Sequence, residues 1–170
     1  VDVRILDAEG RDLPPGERGE LLIQGPGVTP GYWQMPEYTA KTITDGWLHS
    51  GDVAMRDADG FYYIVDRVKD MYISGGENVY PAEVENVIYH LPQVAETAVI
   101  GVAHEKWGEV GRALVAVKAG QTLTEEQILD HCRANLAKYK VPKSVVFVPA
   151  LPRNPAGKVV KGELRQVYGG

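Results

Sequence analysis

A charged quartet, Arg67-Val-Lys-Asp70, divides this chain into two stretches of different character, and no single pattern of secondary structure fits both. Before the quartet the pattern is β. Val1 to Leu6 alternates apolar and polar residues, as a half-buried strand does, and Glu20 to Gln24 reads as a second strand. The connector between them, DAEGRDLPPGERG, is rich in turn residues. GPGVTPGYW is loop, and Pro36 opens a short helix that runs to Thr42. Gly46 to His49 reads as a strand entering a tight turn at Ser50-Gly51-Asp52. Val53–Arg56 and Phe61–Asp66 flank Asp57-Ala-Asp-Gly60, a hairpin signal.

Beyond the quartet, helices enter. Met71 to Ile73 is a short apolar strand, followed by the glycine loop Ser74-Gly-Gly-Glu-Asn78. Pro81 sits where a first helical residue would, with Val84, Val87, Ile88 and Leu91 at i, i+3, i+4 and i+7. Val94–Val102 and Arg112–Lys118 read as paired strands. Thr124-Glu-Glu-Gln127 has the form of a capping box, and Ile128, Leu129, Cys132 and Leu136 make one face of the helix behind it. Val145–Val148 is a further strand, and a short helix follows Gly162. The order β-α-β-β-α-β-α predicts an α+β domain, a short sheet flanked by helices, over residues 71–170. The β-rich stretch 1–66 would bury only about 60% of its unfolded surface and be marginal alone, so it reads as the tail of a larger domain.

Composition narrows the chemistry. Cys132 is the only cysteine, which excludes an internal disulfide and a cysteine-rich zinc site and fits a reducing cytoplasm. The four histidines have no metal-ligand spacing, so no metal site is expected. No transmembrane segment is expected, because no apolar run approaches about 20 residues; VDVRILDAEGRD lacks the features of a signal peptide. Gly25-Pro-Gly27 is not completed to a dinucleotide fingerprint, and Pro-Arg-Asn-Pro-Ala-Gly-Lys158 matches a P-loop only at its end. The net charge is −5, yet residues 133–170 hold eight of the 18 basic residues and a single acid, Glu163. Taken alone, that basic stretch is either a solvated face or a surface that meets an anionic ligand.

Four segments in order carry a resemblance: Trp47-Leu-His-Ser-Gly-Asp52, Tyr63 to Asp70, Ser74 to Glu83, and Pro152 to Lys158. Together they resemble the late motifs of the acyl-adenylate-forming (AMP-binding) superfamily. Within it, DRVKDMYISGGENVYPAEVE looks like bacterial fatty-acyl-CoA synthetases and related aryl-CoA ligases. The resemblance implies that ATP and CoA are substrates with a small carboxylate, that Mg2+ assists, and that the basic stretch meets small anions rather than nucleic acid. It also implies that the superfamily's phosphate loop, acyl pocket and most triphosphate and Mg2+ ligands belong to an N-terminal domain absent from these 170 residues. The intact enzyme would be cytoplasmic, with peripheral membrane attachment open to it.

Residue by residue, the resemblance gives Asp52 and Arg67 to the nucleotide ribose, where an ionised acceptor binds two vicinal hydroxyls strongly. It makes Lys69 a hinge with no chemical role, within residues 67–70. It makes Lys158 the catalytic cation, which offsets repulsion between a carboxylate and the α-phosphate of ATP and so belongs to the nucleotide site as well. Ser74, Gly75, Gly76, Glu77 and Trp107 would line the path of the CoA pantetheine arm, where glycines leave room for a thin ligand. Tyr139 and Lys143 would meet the CoA nucleotide, with Lys140 as a helper. Read alone, Asp52 is a turn cap, Lys158 a solvated lysine and Trp107 a core residue. The resulting expectation is part of an ATP-dependent fatty-acyl-CoA synthetase, inactive as an isolated chain. Alternatives are a standalone CoA- or nucleotide-binding lid, an aryl-CoA ligase, or a ligase that acylates a carrier protein.

Overall fold

The computed structural model describes residues 1–170. The chain divides after Lys69 into two compact units, Val1–Lys69 and Asp70–Gly170. Lys69 lies in a single 3-10 turn, Val68–Asp70.

The first unit is one five-stranded sheet with β1 (Asp2–Leu6), β2 (Arg18–Gln24), β3 (Ile43–Thr44), β4 (Trp47–Arg56) and β5 (Tyr62–Arg67), plus helix α1 (Pro36–Thr42). The Asp57–Gly60 turn forms as read, with the Asp57 carboxylate accepting from the backbone amides of Asp59 and Phe61. The tight turn expected at Ser50-Gly51-Asp52 is absent. β4 runs straight through it as one long strand with a bulge, since Glu20 pairs with Val53 while Leu22 pairs with His49. Three residues of β4 thus face one of β2. Gly51 takes φ +72°, which bends the strand, and Ser50 Oγ donates to the Leu21 carbonyl at 2.7 Å. A small core of Ile5, Leu21 and Ala54 lies under this sheet.

The second unit is α+β. Its strands are β6 (Tyr72–Ser74), β7 (Glu77–Val79), β8 (Val94–His104), β9 (Gly108–Val117) and β10 (Ser144–Phe147). Its helices are α2 (Pro81–Tyr89), α3 (Glu125–Asn135) and α4 (Lys161–Tyr168). The capping box at Thr124 and Gln127 is complete, with both reciprocal hydrogen bonds made. Strand β7, read from sequence as loop, closes a hairpin with β6.

β8 and β9 pair antiparallel along their whole length. With one edge of β9 so occupied, the other is shared: β6 pairs at Gly108 and β10 runs parallel along Arg112–Val115. Alternate residues of the central pair enter two cores. Val99, Ala113 and Val115 pack with Val84 and Ile88 of α2 and Ile128 and Cys132 of α3. Ala98, Ile100, Val102, Val110 and Leu114 pack with Leu164 of α4 and with Leu151, which lies before that helix. Both faces are covered, which explains why these strands are almost wholly apolar.

Tyr72 is wedged over the register pair Gly101 and Gly111. A Cβ on Gly101 would stand 2.5 Å from the Tyr72 Cβ, and one on Gly111 would stand 2.4 Å from its hydroxyl. That hydroxyl is buried with no hydrogen-bond partner among protein atoms. Gly111→Ala is therefore expected to cost about 1–3 kcal/mol by overpacking. Tyr72→Phe removes an unpaired buried hydroxyl and is expected to be neutral or to stabilise by up to about 1 kcal/mol. Combined, the second change should recover part of the first loss in chemical denaturation.

Burial pushes the Cys132 thiol up to about 11. The unfolded thiol ionises first as pH rises, so the folded state should lose stability from about pH 9 upward, by at most about 1.4 kcal/mol per pH unit. Cys132→Ala should flatten that slope between pH 9 and 10 in denaturation measured at successive pH values.

Candidate functional site

In the first unit the bulge of β4 and the end of β5 bring two of the expected site residues together. Asp52 and Arg67 are register partners, and Arg67 Nε lies 3.2 Å from Asp52 Oδ1. Their side chains are 30% and 57% exposed, so the pair adds little stability and stays open to a polar ligand. Ser50 Oγ accepts from the Asp52 amide at 3.1 Å, which fixes the backbone from which the carboxylate projects.

In the second unit a cavity of about 210 Å³ is lined by Ser74, Trp107, Lys138, Tyr139 and Lys143. These residues come from three separated segments, and four of the five are residues singled out above. The cavity belongs to the shared edge of β9, where β6 ends and the chain leading into β10 begins. There the Lys143 amide donates to the Gly111 carbonyl at 2.8 Å. Ser74 is buried, and Gly75 and Gly76 make a two-residue hairpin turn with φ of +63° and +89°. Positive φ at both positions is the demand of a type I′ turn and needs glycine at little cost. The Gly75 amide donates to the Trp107 carbonyl at 2.9 Å, and a Cβ on Gly75 would reach 2.8 Å from the indole. Gly76 and Glu77 lie at the exposed tip, outside the cavity lining.

Lys140 does not join them. Its Nζ lies 2.6 Å from Glu83 Oε1, and its side chain is only 15% exposed. It anchors the 3-10 turn Lys138–Lys140 to α2, so the helper role given to it from sequence is withdrawn. Lys138 lines the cavity instead, shared with Lys143 and with an adjoining cavity walled by Arg133, Leu136 and Val141. Neither Lys138 nor Lys143 makes an ion pair. The sequence signal was the alternation Lys-Tyr-Lys, which left open which lysine faces inward.

Lys158 is not part of this cavity. It ends a tight loop in which the Asn154 side chain accepts from the Lys158 amide at 2.9 Å and the Gly157 amide donates to the Asn154 carbonyl at 2.8 Å. Arg153 donates to the Gly157 carbonyl and pairs with Glu96. Just beyond, Lys161 pairs with Glu85 and Arg165 with Asp70, both at 2.7 Å. The Lys158 side chain is exposed and has no ion-pair partner. The first unit therefore holds Asp52 with Arg67, and the second holds two separate groups, the Ser74–Trp107–Tyr139–Lys143 cavity and Lys158. Lys69 stands apart at the division between units.

Residues 83–158 match the family model of the AMP-binding enzyme C-terminal domain, and residues 1–33 match that of the AMP-binding enzyme. The chain belongs to the AMP-binding, adenylate-forming family. It is 52% identical to the feruloyl-CoA synthase of an Amycolatopsis species over 169 residues, which is 99% of this chain and 34% of that protein. Among solved structures it is similar to ATP-bound MatB from Rhodopseudomonas palustris, at 44% identity and TM-score 0.92, covering 99% of this chain and 34% of that one. Apo MatB, at the same identity and coverage, gives 0.71. A fatty acyl CoA synthetase of Mycobacterium tuberculosis gives 45% identity and TM-score 0.67, covering 99% of this chain and 33% of that one. The chain thus spans about a third of the length of the adenylate-forming relatives it matches.

Lys140→Met should cost about 1 kcal/mol, because it strips a half-buried carboxylate of its cation. A double-mutant cycle with Glu83→Gln, read by denaturation, should return a coupling of similar size.

Proposed function

We propose that this chain is the C-terminal portion of an AMP-forming acyl-CoA ligase. That enzyme converts a carboxylate, ATP and CoA to acyl-CoA, AMP and pyrophosphate through an acyl-adenylate. The observation that carries the reading is the convergence of Ser74, Trp107, Tyr139 and Lys143 on one cavity, in a chain of the adenylate-forming family.

In the first half-reaction a carboxylate oxygen bonds to the α-phosphorus of ATP and pyrophosphate leaves. Two anions must approach, and the unpaired ammonium of Lys158 offsets their repulsion and the charge that develops. Asp52 accepts hydrogen bonds from ribose hydroxyls, with Arg67 beside it. In the second, the CoA sulfur bonds to the acyl carbon and AMP leaves. Gly76, where a Cβ would meet nothing within 4 Å, gives the pantetheine arm room against backbone, and Gly75 lets Trp107 pack on the turn. Trp107 and Tyr139 offer aromatic faces, and Lys143 with Lys138 offers cations to phosphate. Mg2+ would neutralise triphosphate charge. Most of its ligands, with those of the triphosphate, are assigned to the remainder of the enzyme.

Lys158 and the cavity are separate groups, and the two steps would use them in turn. A swing of residues 71–170 about Lys69, within the hinge 67–70, accounts for this. One piece of support is that two structures of the same relative differ in TM-score to this chain by 0.92 against 0.71. That relative's matched third therefore adopts more than one arrangement.

For the acyl group, the 66–83 motif favours a fatty acid. A second reading, an aryl carboxylate, rests on the higher identity to feruloyl-CoA synthase, 52% against 45% for the fatty acyl CoA synthetase. Cytoplasmic placement fits the single buried cysteine, and no helix is long and apolar enough to cross a membrane.

The test is made in the intact ligase carrying this chain. Lys158→Ala should lower ATP–pyrophosphate exchange by about 10²–10³-fold. It should leave thioester formation from supplied acyl-adenylate within about threefold. Equal loss of both half-reactions, or thioester formation by the 170-residue chain alone, would overturn the division of roles. Comparing a long-chain fatty acid with a hydroxycinnamic acid as substrate separates the two acyl readings.

A further inference from the structure

β6 meets β9 at a single rung, Ser74 with Gly108, flanked by the hydrogen bond from the Gly75 amide to the Trp107 carbonyl. One residue further from the turn, the ladder does not continue through backbone. Instead the Ile73 amide donates to Oε2 of Glu109 at 3.1 Å. The reason lies in the neighbouring side chain. Tyr72 is laid over Gly101 and Gly111 beside this edge, and the same space that receives its ring also receives the Glu109 carboxylate. A Cβ on Gly101 would stand 3.1 Å from Glu109 Oε1. The side chain of Glu109 takes the place of the missing backbone acceptor.

We infer that Glu109 is a positioning residue for thioester formation: its carboxylate pins Ile73 and so holds the Gly75–Gly76 turn and the Trp107 face in register for the pantetheine arm. The inference rests on the reading of this cavity as the CoA site. Glu109 is not among the cavity-lining residues, so it acts through the turn and not by touching CoA. Without it, the Ile73 amide loses its acceptor, and the β6–β7 hairpin is joined to β9 only by one rung and the Gly75 hydrogen bond. A short hairpin so weakly held samples open conformations more often. Gln keeps an oxygen acceptor of the same reach, so Glu109→Gln should preserve the function and Glu109→Ala should not.

The first arm of the test uses the 170-residue chain. Amide hydrogen exchange at Ile73 and Gly75 should speed up by about tenfold in Glu109→Ala and by no more than about twofold in Glu109→Gln. Exchange at Val99 and Val115, in the central strands, should stay unchanged in both, which separates loosening of the turn from loss of the fold. The second arm uses the intact ligase. Glu109→Ala should raise the KM for CoA by about tenfold while ATP–pyrophosphate exchange stays within about twofold, and Glu109→Gln should restore the CoA KM. Unchanged exchange at Ile73 in Glu109→Ala overturns the anchoring, and a loosened turn with unaltered CoA KM overturns the positioning role. If the wild-type ligase forms no thioester, the assignment of the cavity to CoA fails, and with it the positioning role, while the exchange arm still decides the anchoring on its own.

Discussion

The pairing of β8 with β9 is the constraint on which the second unit depends. Every other element of that unit takes its place from it. One edge of β9 is filled by β8, so β6 and β10 must share the other. The alternating side chains of the central pair sort the helices, α2 and α3 to one face and α4 to the opposite one. A cavity at the junction of two short strands on a shared edge follows from this arithmetic of edges. Backbone ends there, side chains of different segments meet, and neither strand is long enough to close the gap.

The regions most legible in the sequence were those governed by local chemistry. The capping box at Thr124, proline at the start of α1 and α2, the Asp57 turn and the glycine pair at 75–76 each declare themselves within a few residues. What could not be read were choices made by distant partners. Ser50-Gly51-Asp52 has the composition of a turn, but hydrogen bonding to Leu21, 29 residues away, keeps it in a bulged strand. Lys140 and Lys138 look equivalent until Glu83, 57 residues distant, claims one of them. Glu109 carried no signal, because its hydrogen bond is to Ile73, 36 residues away.

The candidate site shows the same division. The residue types that point to anion and thiol-arm chemistry are local, and the superfamily resemblance located them in order. Their grouping is tertiary. The structure gathers Ser74, Trp107, Tyr139 and Lys143, keeps Lys158 apart from them, and sets Asp52 against Arg67. The basic excess of residues 133–170 is likewise divided. Arg133, Lys140, Arg153, Lys161 and Arg165 are consumed by ion pairs, which leaves Lys138, Lys143 and Lys158 as cations without an ion-pair partner.

Those consumed cations bear on how accurately a reactive group can be placed. Ion pairs to Glu96, Glu85 and Asp70 bracket the loop that ends at Lys158 on both sides, and internal hydrogen bonds close it. The backbone that carries Lys158 is thus fixed at both ends, and only the four-carbon side chain is left to move. Its aim is inherited from the orientation of the whole domain, so a small angular error at the base becomes a displacement at the tip in proportion to the arm's length. A change along the brace can therefore misplace the Lys158 side chain without touching it.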